Sequence, residues 1–211
     1  MIKDATHLIC LSLLLAAIAG CSREPTHNPL PDGAVVLAFG DSVTHGTGAG
    51  DGRSYPELLA METGWSVINA GVPGDTAGQA VNRIGSLLDR HEPDLVIVEL
   101  GGNDFLRQRP ERQVKEDLRA ILHTCRDAGI RTVLVAVPRL SLLRAGIGAL
   151  ADSPIYRELA DEEQVPLIAG VFSDVISDDG LRADRIHPNA RGYRELTSGF
   201  LQALRDIGLA H

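Results

Sequence analysis

The chain has 211 residues and is 44% hydrophobic, enough for one domain with a sizeable core. It carries 28 acidic against 20 basic residues, a formal net charge of −8. An acidic chain without a basic stripe argues against nucleic acid as the main partner, and Arg107, Arg109 and Arg112, its densest basic cluster, read as solvated residues at a helix start.

In chain order, the first feature is an unbroken apolar or small stretch over residues 8–18, LICLSLLLAAI, behind Lys3. It is too short to span a bilayer and fits the core of a signal peptide. The string Ile18-Ala19-Gly20-Cys21 resembles a bacterial lipobox, which implies cleavage before Cys21 and lipidation of its thiol; the alternative is an ordinary signal peptide with an incidental Cys. Ser22 resembles the sorting neighbour of outer-membrane lipoproteins in Gram-negative cells. The expected protein is therefore exported, lipid-anchored through Cys21 and placed at the outer membrane facing the periplasm. Residues 22–33, SREPTHNPLPDG, are polar with three prolines and read as a semi-extended tether of roughly 35 Å. The expected organisation is a signal peptide over 1–20, a lipidated Cys and tether over 21–33, and one folded domain over 34–211. With Cys10 removed and Cys21 modified, Cys125 stands alone and no internal disulfide is expected. Cys125 falls on a helical stripe with Val114, Leu118, Ile121 and Leu122, the setting of a buried, inert thiol.

From residue 34 onward, strand-like and helix-like segments alternate. Near-continuous apolar runs at 34–39, 66–70, 94–100, 131–137 and 165–169 fit parallel strands buried on both faces. Helical patterns fall at about 52–63, 76–91, 111–128, 152–164 and 188–207. Thr76 and Gln79 have capping-box spacing, Gly129 suits a C′ position, and Pro188 is placed to start the last helix. This order predicts an α/β fold: a three-layer helix–sheet–helix sandwich on about five parallel strands.

Open α/β sheets bind ligands at the carboxyl ends of their strands, so the loops there carry the chemistry. The first is GDSVTHG. Ser42 in it is either a nucleophile or a turn residue. A serine nucleophile needs a base, commonly a His steadied by a carboxylate. Asp184-Arg185-Ile186-His187, followed by Pro188, supplies both within one turn. Acyl transfer also needs donors for an oxyanion. Gly74 offers a bare backbone N–H ahead of a helix, and Asn103, in GGND, offers a side-chain amide. Each loop alone also reads as ordinary turn chemistry.

The ordered set GDSVTHG, NAGVPGDTA, VELGGND and DRIHPNARGY resembles the SGNH hydrolases, also called GDSL-type esterases and lipases. It looks most like their bacterial arylesterase, acyl-thioesterase and lysophospholipase branch. The resemblance runs from about residue 34 to the C-terminus and implies a flavodoxin-like sandwich. It also implies roles: Ser42 as nucleophile and oxyanion donor, Gly74 and Asn103 as further donors, His187 as base and Asp184 as its orienting partner. The first motif has Val43 where the family has Leu; the position is expected to pack inward. The segment 139–152 (RLSLLRAGIGALAD) matches no transferable pattern and reads as an apolar flap or as plain helix surface.

The implied activity is hydrolysis of carboxylic esters or thioesters, with a small-molecule or lipid ester as substrate. Alternatives are a carbohydrate or cell-envelope O-deacetylase on the same machinery, and a non-catalytic binding lipoprotein. The aromatic content of 4% favours acyl esters over sugars. No cofactor is expected: there is no GxxxxGK[ST], and the glycines at 46, 48, 50 and 52 do not spell GxGxxG. No metal is expected either, Asp178 and Asp179 reading as solvated loop acids. His45 is expected at the rim or surface. Glu99, a carboxylate in an apolar strand, needs a partner, and Arg139 at the neighbouring strand tip is the expected one.

Overall fold

The computed structural model describes residues 27–139 and 150–211. The signal-peptide and lipidation readings, Cys21 included, and most of the 139–152 segment lie outside the described residues.

Five parallel strands form one sheet in the order β2-β1-β3-β4-β5. They are β1 (Val35–Gly40), β2 (Ser66–Gly71), β3 (Leu95–Glu99), β4 (Arg131–Val135) and β5 (Leu167–Ile168). The expected strands are all present; β1 and β2 each end one residue later than expected, at Gly40 and Gly71, while β3, β4 and β5 are shorter than expected. The helices are α1 (Ser42–His45), α2 (Tyr55–Thr63), α3 (Ala77–His91), α4 (Gly102–Leu106), α5 (Glu111–Asp127), α6 (Pro154–Glu163), α7 (Val171–Ser177) and α8 (Ala190–Asp206). Helix α3 packs on α5 and α5 on α6; α2 and α7 pack on α8. The sheet lies between these two groups, giving the expected three-layer sandwich.

Local chemistry explains the long elements. Thr76 and Gln79 close the foreseen capping box of α3, with Thr76 Oγ1 accepting from the Gln79 N–H. Val114, Leu118, Ile121, Leu122 and Cys125 are the buried stripe of α5. Burial pushes the Cys125 thiol up to about 11, which keeps it protonated and unreactive. Helix α8 starts later than Pro188 suggests. Asn189 is its N-cap, accepting from the Arg191 and Gly192 N–H groups, while Pro188 sits outside the helix in a bridge to Arg182.

The strand order reverses beside β1: the chain goes from β1 outward to β2 and then returns to β3 on the other flank. That is the topological switch point, where α/β sheets open a crevice at their strand ends. The loops after β1, β2 and β3 therefore meet there.

Candidate active site

Gly40 ends β1 opposite Gly71 of β2 and Glu99 of β3. A Cβ at Gly40 would stand 2.0 Å from Thr44 Oγ1 and 2.5 Å from the Glu99 carbonyl oxygen, so only glycine lets the chain turn at once into α1. Asp41 caps that helix, its Oδ1 accepting from the Val43 N–H at 3.1 Å. Ser42 is thereby fixed at the strand tip. Val43 packs inward as expected, 4% exposed.

His187 reaches the same point from the other end of the chain. Its Nε2 lies 2.9 Å from Ser42 Oγ, and its Nδ1 lies 2.8 Å from Asp184 Oδ2. The carboxylate can only accept, so Nδ1 carries the proton and Nε2 presents its lone pair to the Ser42 hydroxyl. Asp184 Oδ1 also accepts from the Ile186 and His187 N–H groups, at 2.8 and 2.9 Å. Partial burial pulls the Asp184 carboxyl upward, but these bonds outweigh it and hold the group below the usual carboxylate range.

Asn103 stands on α4, just past β3. Its Nδ2 donates to Asp41 Oδ2 at 2.9 Å and to the Asp75 carbonyl at 3.0 Å. To serve an oxyanion, the amide must share or release one of these bonds. Gly74 takes the left-handed conformation, with φ 82°, just ahead of α3. Among the described residues, neither its backbone N–H nor that of Ser42 has an acceptor. The structure thus brings Ser42, Gly74, Asn103, Asp184 and His187 to one rim.

Several supporting residues escaped the sequence reading. Arg83 of α3 donates to the Gly40 carbonyl, the Ala70 carbonyl and Asp75 Oδ2, all within 2.8 Å, and stacks on Phe39 at 4.1 Å. One guanidinium thus ties the Ser42 turn to the Gly74 loop. Arg107 and Arg109 are not merely solvated. Arg107 donates to the Gly74 carbonyl at 2.9 Å, and Arg109 bridges Asp104 and Asp117. Asp104, fully buried, also accepts from the Ala77 N–H at 2.9 Å and so fastens α4 to the start of α3. Nothing in the sequence pattern marks these contacts: three of the acceptors, at Gly40, Ala70 and Gly74, are backbone carbonyls, and the carboxylates of Asp75, Asp104 and Asp117 stand at no spacing that a motif marks.

The expected Glu99–Arg139 pair does not form. Arg139 instead pairs with Glu111 at 2.6 Å. Glu99 accepts from Thr44 Oγ1 at 2.8 Å, and Thr44 in turn is bonded to the Tyr55 hydroxyl at 3.0 Å. Burial, and then the nearby Asp41, push the Glu99 carboxyl well above its ordinary range. The loop acids have definite partners: Asp178 caps the turn Asp179–Leu181 and Asp179 pairs with Arg182. His45 is exposed at the rim, as expected.

A parallel sandwich with a hydrogen-bonded Ser–His–Asp series at its strand tips, beside open backbone donors, defines a serine hydrolase. The comparisons with known proteins agree. The profile of the GDSL-like Lipase/Acylhydrolase family matches residues 38–195. The Escherichia coli protein "Thioesterase 1/protease 1/lysophospholipase L1" is 36% identical over 160 residues, 73% of this chain and 75% of that protein. An arylesterase of Vibrio mimicus is 33% identical, covering 72% of this chain and 79% of its own. Among solved structures, the SGNH-hydrolase family esterase AlinE4 superposes with a TM-score of 0.63 at 32% identity, covering 83% of this chain and 97% of its own. TesA shares the fold with a TM-score of 0.73 at 24% identity, covering 82% and 99%. The chain belongs to the GDSL-like lipase/acylhydrolase family and is a serine hydrolase of ester bonds.

Proposed function

We propose that this protein hydrolyses carboxylic esters or thioesters through an acyl-enzyme on Ser42. The observation that carries the reading is the unbroken series Asp184–His187–Ser42, at 2.8 and 2.9 Å, beside the unengaged N–H groups of Ser42 and Gly74. His187 Nε2 takes the proton as Ser42 Oγ attacks the acyl carbon. The carbonyl oxygen gains its charge between the Ser42 N–H, the Gly74 N–H and the Asn103 amide. His187 then returns the proton to the leaving alcohol or thiol. Water, activated by the same His187, releases the acid.

An acyl ester fits the surroundings better than a sugar ester. All eight aromatic side chains (one Trp, three Tyr, four Phe) are buried, so none offers a face for stacking a sugar ring. The crevice beside Ser42 is lined by Val43, Leu106, Phe172 and Ile186 together with the polar Asp41, Glu99, Asn103 and His187, and Val72 stands exposed on the rim. Arylesterase-, thioesterase- or lysophospholipase-like substrates all present such an acyl group. The test is a panel of aryl esters and acyl thioesters of rising chain length, run on wild type and Ser42→Ala. Turnover is expected to fall by at least about 10³-fold in a folded variant. Undiminished turnover, or a preference for acetylated sugars, would reject the reading.

The chain is further proposed to be exported and anchored through a lipidated Cys21. Feeding labelled palmitate to cells should mark the wild type and not Cys21→Ser; equal labelling of the two would count against the anchor.

A further inference from the structure

Asn103 is held from two sides, by Asp41 Oδ2 and by the Asp75 carbonyl. Both partners only accept hydrogen bonds, so the NH₂ end of the amide must face them. Asp41 is committed as well. One of its oxygens caps the Ser42 turn at the Val43 N–H, and the other receives the Asn103 amide. The carboxyl is 3% exposed. Among the described residues, no Lys or Arg side chain pairs with it. A buried carboxylate close to a developing oxyanion opposes the reaction by charge alone. Its geometry supplies a compensating role. An Asn at position 41 has one accepting oxygen and could serve the cap or the amide, but not both.

We propose that Asp41 is a positioning residue that fixes the polarity of the Asn103 amide, so that its N–H and not its Oδ1 meets the oxyanion. The inference rests on the reading of Asn103 as an oxyanion donor. With Asp41 as an acceptor on both oxygens, turning the amide over would set Asn103 Oδ1 against two acceptors, Asp41 and the Asp75 carbonyl. With a donor at position 41 that penalty disappears on one side, and a turned amide presents a lone pair to the growing negative charge. Asp41 acts on the reaction through Asn103 and need not touch substrate. Burial pushes its carboxyl up to about 6, against the Val43 N–H, the His187 charge and the Asn103 amide, which pull it down. At pH 8 it is the accepting carboxylate.

A double-mutant cycle at pH 8 tests this, with kcat and KM measured on one aryl ester for wild type, Asp41→Asn, Asn103→Ala and the double variant. Asn103→Ala is expected to lower kcat about 10²–10³-fold, the cost of one oxyanion donor. Asp41→Asn is expected to lower kcat about 10–100-fold with KM changed less than about threefold, and to cost less than about threefold once Asn103 is Ala. Asp41→Ser separates the two jobs, since Ser caps a helix as well as Asp but cannot reach the amide with a second acceptor. It should lose as much kcat as Asp41→Asn, and it carries the test if Asp41→Asn fails to fold. An equal loss from the Asp41 change in both backgrounds, or wild-type kcat in Asp41→Ser, overturns the inference and leaves Asn103 as donor. Wild-type kcat in Asn103→Ala rejects the donor reading itself, and the inference with it.

Discussion

Asp184 accepts three hydrogen bonds within one short turn: Oδ1 takes the Ile186 and His187 N–H groups, and Oδ2 takes the His187 ring. In the proposed reaction this arrangement sets the tautomer of His187. Asp184→Asn is nearly isosteric, yet its single carbonyl oxygen is drawn to the two backbone donors. Its NH₂ then faces Nδ1 and drives the ring proton to Nε2, where it meets Ser42 Oγ and blocks proton abstraction. We expect kcat to fall by about 10²–10⁴-fold with KM little changed, as a wrong-tautomer defect does in a serine triad. Steady-state kinetics check it; a loss under about tenfold would mean that Asp184, half exposed, contributes little beyond holding the turn. The same logic of single atoms runs through the turn around Ser42, where Gly40 is required by the 2.0 Å approach of Thr44.

The helices that carry candidate-site residues are the shortest ones. The strands and the five long helices were legible because Val/Ile/Leu runs and 3.6-residue stripes repeat over enough residues to be recognised. Helices α1 and α4, of four and five residues, complete little more than one turn each, so no periodicity could announce them. They nevertheless place Ser42 and Asn103. Helix α7 escaped for a related reason, its seven residues being absorbed into the long stretch after β5. The candidate site was legible as residue types in order, GDS, GGND and DRIH, because each motif carries its own candidate side chain. Its wiring was not. Glu99 found Thr44 on α1 rather than Arg139 beyond the end of β4, since the unforeseen helix brings a hydroxyl to it. Arg83 joins two loops through backbone oxygens, which every residue possesses and no motif can mark.

At the scale of the whole molecule, the switch point places the reactive loops together but also leaves two carboxyls, Asp41 and Glu99, in the dry centre of the sheet's edge. Their titration couples the site to global stability. A carboxyl whose folded pKa lies above its unfolded value binds its proton more tightly in the folded state. Its contribution to stability is therefore full below the unfolded pKa and is lost as pH rises through the folded one. For Asp41 that window runs from about 3.8 to about 6. For Glu99 it starts near 4.5 and extends well above, because burial and then Asp41 both disfavour its charge. Glu99 Oε1 has no hydrogen-bond partner among the described residues, so an ionised Glu99 would leave half its charge unsolvated. Glu99→Gln keeps the shape and the Thr44 contact and cannot ionise. Its melting temperature should match wild type within about 2 °C at pH 5, where Glu99 is the neutral acid, and exceed it increasingly toward pH 9. Each unit of pH spent inside the window shifts the balance by up to about 1.4 kcal/mol, or several degrees for a chain of this size. Thermal melts of the two proteins at pH 5, 7 and 9 read the difference directly. A gap that stays constant across that range would show that Glu99 does not change its charge on folding, and that the buried carboxyl is stabilised by a partner other than its proton.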